Sequence, residues 1–499
     1  MDTTFDALLL RMKELRDLGG LIGLASWDQE TYLPAKAAEA RAQQLTTLQG
    51  LQHERLVDPR LGEWLAWTQD RRDLTDDQLA MARVLIQERD RAVKVPRTLV
   101  HALAEAQSRG VHAWREARKA NRFDLFRPAL ERLLTLRREQ ADAYGHAGER
   151  YDALLEGFEP GMRVARLGPV LSSLRDTLIG WVGRLQASPR QGPDLLAGRH
   201  FDLEGRKRLC QRLLEDMGFD LEAGRLDQSV HPFSSGLHPT DVRLTTGLEE
   251  PGLACLFSTL HEGGHGLYEQ GFHPVLHRTP LANAPSMGLH ESQSRLWENL
   301  VGRGRPFWTH YFPVLREAFP DTLADVDLEG FLASVNRVTP SLIRVDADEV
   351  TYNLHIVLRY ELELLLIRDE LPVADLPEAW NERMRRFLGV APPDDRRGVL
   401  QDIHWAWGEF GYFPTYALGN LYAASLYATA RRALPDLERG LARGELRPLR
   451  DWLRTHVHAE GYRLPAEERV RVVTGEGLTD DDFLGYLKSK FGTLYDVKL

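Results

Sequence analysis

Apolar residues recur at spacings of three and four along most of this chain. From position 163, RVARLGPVLSSLRDTLIGWVGRLQ sets Leu167, Val170, Leu171, Leu174, Leu178, Trp181, Val182 and Leu185 on one stripe, which predicts a long amphipathic helix. The same period runs through FDALLLRMKELRDLGGLIGL, LERLLTLRREQADAYGHAG and YNLHIVLRYELELLLIRDEL. Near the end, Thr479 with Asp482 three residues on predicts a capped helix start ahead of FLGYLKSKF. Breaks such as ASPRQGP at 187 to 193 are short, and neither a repeat nor a low-complexity tract appears. The pattern predicts a mainly α protein in which residues 1–499 form a single unit.

One segment departs from the helical period. HPFSSGLHPTDVRLTTG, 231 to 247, has turn residues and then Asp241 to Thr246, which alternates and is rich in β-formers. It predicts a short strand or hairpin just upstream of residues 260 to 271. Its functional reading is an exposed edge that an extended peptide joins by main-chain hydrogen bonds, and its structural reading is a connector.

Composition narrows the function classes. A formal net charge of −10 and a pI near 6.0 supply no basic field for phosphate backbones, which argues against nucleic acid as a partner. The two cysteines, Cys210 and Cys255, are too few for a disulfide framework and predict two buried apolar side chains in a reducing compartment. MDTTFDALLLRMKEL carries acids where a signal peptide needs cations, and no apolar run approaches the ~20 residues that span a bilayer. The expectation is a cytoplasmic protein with no membrane partner.

The chemistry concentrates in LHEGGHGLYEQG, 260 to 271. With 17 histidines and 73 acids, a His-acid-x-x-His match arises by chance roughly 0.08 times in such a chain. On a helix, His261 and His265 share a face and can reach one zinc, while Glu262 is placed to address the metal's water. Gly263 and Gly264 each cost a helix about 1 kcal/mol relative to alanine, so something must pack closely against them. A catalytic zinc takes a third protein ligand. The residues at 268 and 271, Tyr268 and Gly271, exclude the metzincin extension, and Glu269 lies about 12 Å along the axis from His261. The ligand must come from another helix. GLHESQSRLWENL, 288 to 300, offers Glu291 and Glu298 at heptad spacing, with Glu291 slightly preferred and His290 and His277 as outsiders.

Beyond the zinc helix, HPF at 231 to 233, DVRLT at 241 to 245, HESQSR at 290 to 295, IRVDAD at 343 to 348 and GVLQDIHW at 398 to 405 follow in order, flanked by WDQETYLP at 27 to 34 and YDALLEGFEPGM at 151 to 162. These blocks resemble the carboxypeptidase Taq family, metallopeptidase family 32, over nearly the whole chain. Gly263 is the one departure within the zinc helix, where a bulkier residue is commoner. The resemblance implies a zinc-dependent metallocarboxypeptidase with one zinc per chain, replaceable by Co or Mn, held by His261, His265 and Glu291, and with Glu262 as general base. It also implies a helical zincin-type fold with two walls around a long groove, N-terminal helices covering it, and a homodimer.

The remaining blocks take roles by their chemistry. A peptide with a free C-terminus needs a cation for its carboxylate, and the guanidinium of Arg344 offers a fork; its structural alternative is a salt bridge to Asp346 or Asp348. Arg243 is the rival clamp, with Asp241 holding it in place. His404 and either Tyr416 or Tyr412 are the expected donors to the developing oxyanion, and His231 either lines the site or caps a turn. Two other functions fit the same features. An internal oligopeptidase would lack the clamp, and a non-catalytic helical scaffold would have no need of Glu262.

Overall fold

The computed structural model describes residues 3–249 and 252–499. Helices dominate, as the periodicity predicts. Val164–Gln186 is one continuous helix whose buried face holds all eight residues of the predicted stripe. Thr3–Thr31, Arg127–Tyr144 and Tyr352–Arg368 are helices over the other three segments. The last of these is buried nearly all round rather than on a stripe, because it runs through the middle of the main core. The C-terminal helix, Asp481–Tyr495, starts later than expected. Thr479 hydroxyl bonds to Asp481 rather than capping the turn at Asp482, and Asp480 takes the N-cap position without a side-chain cap.

Most apolar side chains join one continuous core. A second cluster, around Leu8, Met12, Leu61 and Leu85, belongs to the N-terminal helices and meets the rest of the chain through Leu276, Leu281 and Tyr462. Cys210 and Cys255 are both buried and unbridged, as expected.

The predicted β segment forms a hairpin, β2 (Ser234–His238) antiparallel to β3 (Asp241–Thr246), with a bulge between Gly236 and His238. A further strand, β1 (Gly224–Gln228), pairs in parallel with β3 and gives the order β1-β3-β2. GRLDQ escaped the sequence reading because it is short, polar and opens on glycine. The edge reading of 241–246 is corrected by this topology, since β3 is the central strand and both its sides are occupied. The helix Ala254–Glu269, which carries the HEGGH residues, packs on β3 and on the helix Leu203–Met217.

Two glycines bring three elements to close range. A Cβ on Gly264 would come within 2.5 Å of the carbonyl oxygen of Gln293, in the helix Met287–Arg295. Gly419, in Pro414–Ala433, meets the side chain of Glu291 just as tightly. The something packed against Gly264 is therefore backbone, and Gly263 faces Leu214 and Met217.

Candidate active site

His261 and His265 project from one face of Ala254–Glu269, their rings 5.0 Å apart. Nε2 of His261 lies 3.6 Å and Nε2 of His265 3.3 Å from Oε2 of Glu291. Tetrahedral ligands about 2.05 Å from a zinc sit roughly 3.4 Å from one another, so these spacings fit a single ion. One donor atom from each of the three residues lies within 4.8 Å of the other two. Two imidazoles and a carboxylate also suit zinc chemically.

Each donor has its own support. Nδ1 of His261 is 2.9 Å from Oε2 of Glu298, which fixes the ring and leaves Nε2 free to face Glu291. Glu298 thus stands behind His261, while Glu291 faces both histidines. Oε1 of Glu291 accepts from Nε of Arg295 at 2.7 Å, and Oε2 from Ser294 at 2.9 Å. Burial pushes Glu291 upward, yet Arg295 and His261 prevail and hold it well below the carboxylate range. Burial is likewise outweighed at Glu298, which Arg295 and His261 bring down to about 2. Glu298 sits in the wide π-helical turn Leu296–Val301 that continues from Met287–Arg295. The N-terminus of Met287–Arg295 is held by Ser286, which accepts from the Leu289 N–H, and by buried Glu159, which accepts from the Gly288 N–H. Glu159 explains part of the YDALLEGFEPGM block.

Glu262 is buried beside His261. Burial raises its carboxyl to about 7, with His261 pulling the other way. The outsiders are elsewhere engaged. His290 stacks on His265 at 4.5 Å and bonds Glu269 at 2.8 Å, and His277 faces His238 and the Phe272 carbonyl.

A cavity of about 680 Å³ opens beside this cluster, lined by His261, Glu291, Arg295, Arg344, Tyr352 and Tyr416, with exposed His231 among its lining residues. Arg344 is 7% exposed, and its partner is neither Asp346 nor Asp348. Nε and Nη2 both bond Oδ1 of Asp402, at 3.0 and 2.9 Å, because Asp348 is already occupied by three backbone N–H groups and Thr351. Fully buried Arg359 takes the other oxygen of Asp402, so two guanidiniums share one carboxylate and a net positive charge remains.

Arg243 is committed differently. It bonds both oxygens of Asp241, at 2.9 and 3.2 Å, and lies over the Trp27 ring at 4.3 Å, outside the cavity lining. This gives WDQETYLP a place: Trp27 packs under Arg243, and the Tyr32 hydroxyl bonds Asp227 on β1.

His404 is buried, 5.3 Å from the Tyr412 ring and 6.3 Å from the Tyr416 ring. Burial, resisted by Asp402, brings its imidazole down to about 4 and keeps it neutral. Burial raises Tyr412 to about 12 and Tyr416 well above its ordinary value, so both remain hydroxyl donors. Tyr416 reaches the cavity wall, whereas Tyr412 packs against Phe158. The sequence reading missed Arg295, Tyr352, Arg359, Gln401 and Asp402. Three of these lie in the HESQSR and GVLQDIHW blocks, beside the histidine and glutamate that carry the more specific signal.

Known proteins resemble this chain over nearly its whole length. The family model described as carboxypeptidase Taq (M32) metallopeptidase matches residues 7–491. The chain is 46% identical to thermostable carboxypeptidase 1 of Thermus thermophilus over 99% of both chains. It is 36% identical to carboxypeptidase 1 of Bacillus subtilis over 97% of both. Its fold superposes on the crystal structure of the M32 carboxypeptidase from Deinococcus radiodurans with a TM-score of 0.97 at 40% identity, covering 99% of this chain and all of that one.

Proposed function

The chain belongs to the carboxypeptidase Taq (M32) family and is a metallocarboxypeptidase acting on peptides; from that premise we propose that it uses one zinc ion, held by His261, His265 and Glu291, to release single C-terminal residues. The observation that carries the metal assignment is the spacing of 3.3 and 3.6 Å between the two Nε2 atoms and one carboxylate oxygen. When bound, the cation lowers the pKa of a water molecule towards ~7 and polarises the scissile carbonyl.

The protein's own groups do the rest. Glu262 draws the proton from the attacking water and returns it to the leaving amine, from a buried position beside His261. Neutral His404 and the Tyr416 hydroxyl, with Tyr412 behind them, donate to the carbonyl oxygen as it becomes negative. Arg344 takes the substrate's terminal carboxylate, supported by the surplus positive charge it shares with Arg359 and Asp402 and by its place in the cavity wall. His231 at the rim contacts the peptide upstream, and Asp241 with Arg243 holds the sheet to the first helix.

The 1–499 chain acts as one peptidase unit, with the N-terminal helices as the outer wall over the groove, in the cytoplasm and as a homodimer. Metal analysis of the purified protein, with a mass-resolved digest of one peptide as free acid and as amide, tests the whole reading. One zinc per chain and stepwise loss of C-terminal residues from the acid alone are expected. Internal cleavage of both forms would make it an oligopeptidase.

A further inference from the structure

Tyr352 opens the helix Tyr352–Arg368, is 7% exposed, and lines the same cavity as Glu291 and Arg344. Its hydroxyl oxygen accepts from Nη2 of Arg295 at 3.1 Å and from Nη1 of Arg344 at 3.2 Å. The Arg295 guanidinium also lies over its ring, 4.5 Å from the centroid, and holds it in place. A hydroxyl oxygen has two acceptor positions and one proton. Guanidiniums only donate, so both positions are taken and the proton must point to a third group. Among the described residues the structure gives Tyr352 no acceptor for it.

Charge identifies the missing acceptor. Arg295 is balanced by Glu291 and Glu298, whereas Arg344 and Arg359 share the single carboxylate of Asp402. The hydroxyl therefore faces a site with surplus positive charge on its Arg344 side. We infer that Tyr352 is a substrate-binding residue, donating its proton to the terminal carboxylate of the peptide beside Arg344. The inference rests on Arg344 as the clamp and extends it from one cation to a cation and a neutral donor. Through Arg295 the same hydroxyl is joined to Glu291, so the carboxylate site and the metal site share one hydrogen-bonded chain.

The test is Tyr352→Phe, which keeps the ring under Arg295 and removes the oxygen, assayed with benzyloxycarbonyl-Ala-Ala as free acid and as C-terminal amide. A charge-assisted hydrogen bond sets the expected size: KM for the acid rises about 10- to 100-fold while kcat stays within about threefold. kcat/KM for the amide, whose carbonyl accepts only a neutral hydrogen bond, falls less than that for the acid, and the metal content stays at the wild-type value. An unchanged KM for the acid overturns the inference. So does an equal fall for acid and amide, which marks a structural or oxyanion role. Arg344→Ala run alongside separates the two readings. If it leaves the preference for acid over amide intact, the clamp itself is wrong; if it abolishes that preference and Tyr352→Phe leaves it unchanged, only the role of Tyr352 fails. Should Tyr352→Phe fail to fold, a crystal structure of Glu262→Gln with the free acid bound decides. A carboxylate oxygen about 2.7 Å from the tyrosine oxygen is expected, and one beyond hydrogen-bond reach overturns the inference.

Discussion

Nδ1 of His261 donates to Oε2 of Glu298 across 2.9 Å, so the carboxylate seven residues beyond Glu291 stands behind the first histidine of the candidate metal site. The two glutamates that were nearly equal in the sequence have different positions, and their loss should differ. Glu291→Ala should leave the protein with little bound metal after dialysis. Glu298→Ala should retain the site but weaken metal affinity about 10- to 100-fold, as loss of such a supporting partner does elsewhere. Metal-competition titration of both variants measures this. Equal retention in the two would place Glu291 outside the ligand set.

Glu262 is not among the three residues whose donor atoms cluster. Glu262→Gln should therefore keep about one metal per chain while turnover falls by several orders of magnitude. Metal content and kcat measured on one preparation decide it, and near-normal turnover would sink the assigned base.

Much of this site was legible because its histidines obey helical spacing and its blocks stand in order along the chain. What was not legible depends on long-range packing. The preference for Glu291 over Glu298 follows from how closely Met287–Arg295 approaches at Gly264, a distance no local period encodes. The structural alternative for Arg344, a salt bridge to Asp346 or Asp348, assumed neighbours in sequence. Its partner Asp402 lies 58 residues away, brought in by a loop whose turn residues carry no helical signal. The strand β1 was lost because its parallel partner β3 stabilises a segment that local propensity leaves neutral.

That close approach yields a paired prediction. Gly264→Ala forces a methyl to within 2.5 Å of the Gln293 carbonyl, so the helices must part, at about 1–3 kcal/mol of stability and with weakened metal binding. Gly180→Ala, in Val164–Gln186 with open space around it, should instead gain up to about 1 kcal/mol. Thermal unfolding of both, with metal content for the first, checks the contrast.

Glu159 gives a pH dependence with a definite sign. Burial raises its carboxyl from 4.5 to about 8, so between those values the folded protein holds a proton that the unfolded chain has released. Stability contributed here is greatest below pH 4.5 and falls as pH rises towards 8, by at most about 1.4 kcal/mol per unit. Glu159→Gln keeps an acceptor for the Gly288 N–H and removes the titration. Its melting temperature relative to wild type should climb steadily from pH 5 to pH 8. A constant difference across that range would show that Glu159 is ionised in the folded state.

Arg344 rather than Arg243 is the arginine expected to make this enzyme an exopeptidase. Arg243 has both carboxylate oxygens of Asp241 and the face of Trp27, and nothing in its surroundings leaves charge to spare. Arg344 shares Asp402 with Arg359, and that pair retains a positive charge at the cavity wall. A bidentate, charge-assisted contact with a terminal carboxylate should be worth about 2–4 kcal/mol, which a peptide amide never gains. Arg344→Ala should therefore narrow the ratio of kcat/KM for acid over amide by roughly 30- to 1,000-fold, and Arg344→Lys should recover part of it, since an ammonium has no fork. Arg243→Ala should leave the ratio alone and lower thermal stability instead, by freeing Trp27 and Asp241 at the join between the first helix and the sheet. If the ratio collapses in Arg243→Ala and holds in Arg344→Ala, the sheet arginine turns towards the substrate on binding, and the buried Arg344 cluster is structural.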